Sequence, residues 1–552
     1  HHERQFATYS TPNDTEIWQY ANFVQVGPGV KAQRAFQTLF KISGSISSPV
    51  PTSEEEDYAY DTSGRIENAA FAQTPQTNYT PPSGNRWYST SEEPASRCRE
   101  FFDFDPAGRN LNLQYMWETF AASGTSPASV TNITGWNYTY EADLTNQNLN
   151  QDRGLKTNAS LYNGTGTSWV LDHTENYTYE AQRGFLIGAQ YNDGQPNASP
   201  TWTYNESQTR TDTVTNDLNQ AGYFVGGNGA WTPYTDQAGR TLTRGAATLG
   251  WDCVSRLTSY TTSSGTSNYE YRADGMRDHR TVPGSSVANW SYYDDGQTTA
   301  EDEQILSGNL TVTRYGLGAR GIDKCERQTG TVSGGLGATV STWCPIYDGH
   351  GNQCGTLSRG LNNTHTLSKV RTFDAWGNVR RGNGTGDPAS RYCGNLGHLQ
   401  DDESSLIYMR ARFYDPAACR FASEYPARTA SNWYQFANND PLDQVDQTGK
   451  NPTPSQLFWA TLMGIGTVVT AGMGLNAMLV GEQLIVYGCA TLALMGPTGA
   501  SLAATIAGSM TEAMCTGIGT IAVIAMAAYS AICGMFALFD DQPSGMNDLI
   551  SS

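Results

Sequence analysis

Two hydrophobic patterns divide this chain. Over residues 55–380 one short signature keeps returning: an aromatic residue, often Asp, a small spacer, Gly, then Arg or Asn, then a run rich in Thr, Val, Leu and Tyr. It reads Tyr60-Asp61-Thr62-Ser63-Gly64-Arg65 and Phe104-Asp105-Pro106-Ala107-Gly108-Arg109. With one residue inserted it returns as Tyr234-Thr235-Asp236-Gln237-Ala238-Gly239-Arg240. Later copies are Tyr271-Arg272-Ala273-Asp274-Gly275-Met276-Arg277, Tyr347-Asp348-Gly349-His350-Gly351-Asn352 and Phe373-Asp374-Ala375-Trp376-Gly377-Asn378. Degenerate copies begin at Tyr140, Tyr179, Tyr204, Trp251 and Tyr293. From Tyr234 the starts at Trp251, Tyr271 and Tyr293 follow at intervals of 17, 20 and 22 residues, which predicts one β-hairpin per repeat. The Asp carboxylate accepts from backbone N–H groups and starts a turn. The Gly supplies the positive φ that closes it. The aromatic and β-branched positions suit half-buried strands that stack into cross-strand ladders. A sheet this long must curl and protect its edges, so a spiral or closed shell is expected.

The second pattern begins after a linker, Asn451-Pro452-Thr453-Pro454. Three charge-free stretches follow, 456–481, 483–511 and 513–539. Each exceeds the ~20 residues with which a helix crosses a bilayer. Gly and Ala are frequent in them, and Gly496-Pro497-Thr498-Gly499 interrupts the second. The expectation is an α-helical apolar tail, covered either by protein or, through 456–539, by a membrane. Protein cover is preferred, because the tail has no Lys or Arg to orient it by the positive-inside rule.

Charge sharpens that division. The chain of 552 residues carries 53 acids against 34 Lys and Arg, a net −19. Residues 451–552 contribute five acids (Glu482, Glu512, Asp540, Asp541, Asp548) and no base, which leaves −14 for residues 1–450. Such a balance argues against nucleic-acid binding by bulk charge. Aromatics at 11% exclude a disordered chain. The ten cysteines show no CxxC spacing, so a zinc knuckle is unsupported. Seven precede residue 450 and three follow it; one or two disulfides would fit a secreted protein, and buried thiols are the plainer expectation. Thirteen Asn-x-Ser/Thr sequons are glycosylation candidates: Asn13, Asn78, Asn132, Asn137, Asn158, Asn163, Asn176, Asn197, Asn205, Asn289, Asn309, Asn362 and Asn383. Together with the Thr-rich composition they favour an exposed outer surface.

The recurring signature resembles that of the RHS-repeat, or YD-repeat, proteins. The likeness tightens over residues 345–450. There Arg391-Tyr392-Cys393-Gly394-Asn395-Leu396-Gly397-His398, Leu406-Ile407-Tyr408-Met409-Arg410-Ala411-Arg412-Phe413-Tyr414-Asp415-Pro416, Arg420-Phe421-Ala422-Ser423 and Asn438-Asn439-Asp440-Pro441-Leu442-Asp443-Gln444-Val445-Asp446-Gln447-Thr448-Gly449 look like the RHS-associated core. The resemblance implies a mainly β, hollow shell wound from a spiralling sheet over 55–344. The core, 345–450, would plug one end, between an N-terminal segment 1–54 of open fold and the tail 451–552.

Many members of that family cut themselves after the core with paired aspartates. The corresponding element here is Glu424-Tyr425-Pro426, so Tyr425 stands where the Asp is expected. A phenol with an ordinary pKa of ~10 is no general base for such a pair. Asp446 matches the second aspartate, with Gln447 in place of the following Pro. Glu424, Tyr425 and Asp446 therefore read as vestigial, and Asp440, Asp443 and Asp446 as turn caps. No Walker loop, HExxH or GxSxG is present, and the scattered histidines, His350 and His398 among them, read as structural. Neither a cofactor nor a metal is expected.

These readings predict a non-enzymatic, structural protein: an extracellular or cell-surface, glycosylated β-shell. Its buried tail would drive self-association into a fibre or surface layer. Two rivals come from other classes. One is a polymorphic toxin with the apolar segment as an encapsulated pore-forming payload. The other is a carbohydrate- or cell-binding adhesin.

Overall fold

The computed structural model describes residues 54–74, 95–141, 154–204, 235–292, 299–424 and 432–450, less 62–64, 107, 122–126, 182, 197–198, 284–285 and 387. It adds the strand paths of His2–Phe6, Glu16–Val24, Gln33–Ile42, Thr213–Thr215, Ala221–Phe224 and Thr453–Pro454. The predicted helical tail, Tyr425, the repeat start at Tyr234 and the sequons at Asn13, Asn78, Asn197 and Asn205 lie outside the described residues.

The described chain is mainly β. Its only helical elements are the short 3₁₀ turns Gly394–Leu396 and Ala437–Asn439. One sheet has 11 strands, from His2–Phe6 to Leu186–Tyr191; another has 12, from Thr243–Arg244 to His365–Ser368. In both, every strand pairs with its neighbours in sequence, so each sheet is one long antiparallel meander. A hairpin (Arg371–Phe373, Val379–Gly382) and a four-stranded sheet (Leu399–Gln400 to Arg420–Phe421) complete the later part.

The repeat signature has one mechanical meaning. The Asp caps the residue four positions on: Asp105 Oδ1 accepts from Arg109 N at 2.9 Å and Asp105 Oδ2 from Arg109 Nε at 2.6 Å. The pairs Asp61–Arg65, Asp236–Arg240 and Asp252–Arg256 repeat that geometry, and Asp348–Asn352 and Asp374–Asn378 do so with an amide. Each Arg then reaches the next repeat. Arg65 lies 4.7 Å over the Phe104 ring, Arg109 5.1 Å over Tyr140, and Arg256 5.0 Å over Tyr271. The Tyr of the next repeat points its hydroxyl back: Tyr140 donates to Asn110 O, Tyr179 to Lys156 O, Tyr271 to Leu257 O and Tyr292 to Arg277 O, at 2.6–2.9 Å. Aspartate, arginine and aromatic thus form one clasp that ties successive hairpins.

Two expectations needed adjustment. The copy at Trp251 closes as a full turn although Ser255 takes the place of Gly, at φ +65°. The copy placed at Tyr293 uses Tyr292 instead. A register shift falls immediately before each repeat aromatic, here between Ser291 and Tyr292, as it does before Tyr271 and Tyr347. Two adjacent tyrosines satisfy the pattern equally, and the bulge decides between them.

Residues after 390 pack against one face of the second sheet. Leu249, Leu257, Tyr260, Tyr269 and Met276 form one core with Leu406, Tyr408, Phe413 and Ala422. Arg277 is fully buried there, 2.7 Å from Asp401 Oδ2, with its guanidinium 4.2 Å from the Trp290 ring centre. A counterpart joins the two sheets: Arg320, in the turn between Asn309–Gly318 and Gly321–Thr331 of the second sheet, is ion-paired to Glu100 and lies 4.0 Å over Phe71 of the first. No disulfide joins the seven cysteines of the described residues, six of which are buried and one, Cys253, exposed.

Candidate functional site

The aspartates of the core segment separate into two environments. Asp446 is buried and its Oδ1 accepts from Thr448 N at 3.3 Å and Lys450 N at 3.0 Å, which makes it a turn cap. Its Oδ2 lies 3.4 Å from Arg412 Nη2. Arg412 fixes this loop further by donating to Gly449 O and Trp433 O. Glu424 is buried elsewhere: Oε1 is 3.4 Å from the Tyr434 hydroxyl, which donates to Gly239 O at 2.6 Å. Gly239, at φ +73°, has no Cβ because the Glu424 carboxylate fills that space. Glu424 and Asp446 therefore serve different repeat and loop contacts, and Tyr425 lies outside the described residues.

Asp440 and Asp443 are different. Both are buried, and each has an Oδ1 without a hydrogen-bond partner. Asp443 Oδ2 accepts from Lys156 N at 2.8 Å and lies 3.3 Å from the Tyr179 hydroxyl. Lys156 Nζ donates to Leu442 O at 3.0 Å, over the Tyr138 ring. Burial pushes the Asp440 carboxyl well above the usual carboxylate range, and the neighbouring Asp443 adds to this. Burial also raises Asp443, partly offset by the Lys156 cation. A carboxyl in this state retains its proton to higher pH than a surface acid.

His350 completes the cluster. Its Nδ1 is 3.2 Å from Leu442 O, and its Nε2 is 3.7 Å from Cys393 Sγ. Burial first, and then the Lys156 charge, hold the imidazole down to about 3, so it is neutral. Burial likewise pushes the Cys393 thiol well up. A neutral imidazole beside a protonated, enclosed thiol is a packing contact rather than an activated nucleophile. A cavity of 50 Å³ adjoins these groups, lined also by His173, Glu175, Asp348 and Asp374. Among the described residues no group of His, Cys, Asp and Glu is arranged to hold a metal ion.

The turn-cap reading thus describes Asp446, and Asp440 in so far as it accepts from Asp443 N, but it misses that Asp440 and Asp443 form a buried acid pair against Lys156 and Tyr179. One signal marks Lys156 in the sequence: it occupies the repeat position to which the next tyrosine donates. Among the sequons, Asn132 is buried, whereas Asn137, Asn163, Asn176, Asn309, Asn362 and Asn383 are exposed. No helix of the described residues is long and apolar enough to cross a membrane.

No family model matches the chain. Three curated relatives do in part. The tRNA3(Ser)-specific nuclease WapA of Bacillus spizizenii is 26% identical over 223 residues, 39% of this chain and 9% of that protein. The tRNA nuclease WapA of Bacillus subtilis is 25% identical over the same shares. The chain thus spans under a tenth of the length of these relatives. Among solved structures, the Tc holotoxin pore of Photorhabdus luminescens aligns at a TM-score of 0.44 and 16% identity, over 80% of this chain and 23% of that one. The TcdB2–TccC3 crystal structure aligns at 0.37 and 12%, over 78% and 27%.

The relatives correct two expectations. A fibre-forming structural role and a non-enzymatic character were read from the missing Asp at 425 and the absence of a catalytic motif. Proteins similar in sequence to part of this chain are instead named as nucleases. The physical reason is that repeat turns and core caps report a scaffold, and a scaffold is silent about the activity joined to it. What the comparisons show is a partial likeness in sequence to the WapA proteins, beside a described chain that is mainly β.

Proposed function

We propose that residues 55–450 are the shell and end plug of a polymorphic toxin, and that residues 451–552 occupy the payload position. The observation that carries this is the sequence match to the WapA nucleases, combined with a core segment that closes against the sheets through buried charges. An extracellular or cell-surface setting fits such relatives. The spiral, hollow form of the shell belongs to this proposal; its support is the strictly sequential strand order.

The payload's own chemistry favours a membrane target. Its 102 residues hold three long charge-free stretches and no cation. Binding a tRNA draws on Lys and Arg that displace counterions from phosphates, and this segment offers none. The relatives' names favour a second reading, in which the effector cuts tRNA.

One experiment separates them. The full chain, opened by limited proteolysis, is added to dye-loaded anionic liposomes and, in parallel, to total tRNA; a chain ending at Lys450 is the control. Leakage with the full chain alone supports the membrane payload. Cleaved tRNA without leakage replaces it with the nuclease reading. Neither effect would remove the toxin proposal.

A further inference from the structure

The solvent-facing side of the first sheet carries a cleft that neither the turns nor the core plug explains. It crosses four consecutive strands: Asn110–Phe120, Pro127–Tyr140, Lys156–Thr165 and Ser168–Tyr179. Strand alternation places Tyr115, Trp136 and Tyr138 on the buried face and leaves the neighbouring positions on the other. There Asn112 faces Asn137 directly, and Gly135 lies between Gln114 and Tyr162. Trp169 closes the far side. A Cβ placed on Gly135 would come within 3.4 Å of both Gln114 Cγ and Trp169 Cζ3, so the cleft floor exists because this residue has no side chain. The open volume is 150 Å³.

Its chemistry is narrow. The lining offers three aromatic residues, of which Tyr162 and Trp169 lie on this face and Trp136 is largely buried, three carboxamides and no charged group. The Asn112 side-chain oxygen has no hydrogen-bond partner in the protein. Carboxamides present a donor and an acceptor side by side, which matches vicinal hydroxyls. Aromatic faces take the C–H face of a ring, and a few placed polar groups fix its orientation. Without a cation the cleft has nothing to hold a phosphate or carboxylate.

We propose that this cleft binds one pyranose residue of a neutral glycan, stacked between Trp169 and Tyr162 with its hydroxyls on Asn112, Gln114 and Asn137. The proposal goes beyond the toxin reading and does not depend on it: it gives the sheet a recognition surface whatever the payload does.

The test is saturation-transfer NMR on the full chain with four probes: maltotetraose, cellotetraose, the N-acetylglucosamine tetramer and a sialylated tetrasaccharide. Transfer to at least one neutral probe is expected, with millimolar affinity. Trp169→Ala and Gly135→Val should each weaken it by more than tenfold, and Val254→Ala, at an exposed site elsewhere, should leave it unchanged. Near-UV circular dichroism checks that the variants fold; because Trp169 is partly exposed, its variant keeps the test valid if Gly135→Val does not fold. No transfer to any neutral probe would overturn the proposal. So would equal binding by wild type and Trp169→Ala, or a preference for the sialylated probe.

Discussion

The repeat turns and the core segment both use arginine with aspartate, but in opposite surroundings. In the Asp61–Arg65 clasp the side chains are 22% and 21% exposed, so water screens the pair. Such pairs contribute ~0–1 kcal/mol each, and their value lies in geometry, since each guanidinium also reaches the next hairpin. Arg277 and Asp401 are 0% and 2% exposed. A pair of that kind gains little over an apolar core, yet breaking it leaves an uncompensated charge. A turn clasp can therefore be lost at small cost, whereas loss of one partner of the buried core pair is expensive.

The sharpest way to break this contrast is to remove one buried partner. Arg277→Met should destabilise the fold by about 3–5 kcal/mol. The lower end is expected because Arg280 Nη1 remains 2.7 Å from Asp401. Arg65→Met should cost under about 1 kcal/mol. Urea unfolding of the full chain measures both. Equal losses would show that burial does not distinguish the two regions.

Glycine positions sharpen the same comparison by packing rather than charge. Gly377 and Gly275 close equivalent turns at φ +92° and +87°. A Cβ at 377 would meet Tyr392 Cγ at 2.6 Å, whereas at 275 nothing lies within 4 Å. Gly275→Ala bears only the backbone strain, about 1 kcal/mol. Gly377→Ala adds displacement of a buried ring that also touches Tyr414 and Phe436, for a total of about 2–4 kcal/mol. The difference between the two variants' urea midpoints is the measurement, and a difference near zero would mean that the Tyr392 ring yields freely.

This contrast also explains what was legible in the sequence. Asp105 and Arg109 are four residues apart, so their clasp leaves a local pattern that repeats. The bonds that seat the core do not. Arg277 and Asp401 are separated by 124 residues, and Lys156 and Asp443 by 287, and no spacing announces either. The β character and the turns were therefore readable, while Asp443 looked like one more turn aspartate. Tyr292 and Tyr293 were indistinguishable until the bulge position fixed the register. Function was least legible, because repeat turns and core contacts specify a scaffold and say nothing of the activity joined to it.

The smallest expected effects are changes of slope with pH, and they run in opposite directions at a paired and at an enclosed aspartate. Asp193 is paired with Arg380 at 2.7 Å, and that hydrogen bond holds its carboxyl down to about 2. Its contribution is present above the unfolded value of ~3.9 and is lost as the pH falls through about 2. Asp440 and Asp443 are raised, chiefly by burial. They favour the folded state below the unfolded value and weigh against it as the pH rises through their raised values. The groups facing them, Lys156, Tyr179 and Arg109, moderate this without reversing it. Asp193→Asn should then lose about 1 kcal/mol near pH 7, with the deficit shrinking toward pH 2. Asp440→Asn should instead be more stable than wild type near pH 8, with the gain fading below about pH 4. Urea midpoints across that range test both. An Asp440→Asn curve parallel to wild type would mean that the acid pair is already ionised in the folded core, and that Lys156 outweighs burial there.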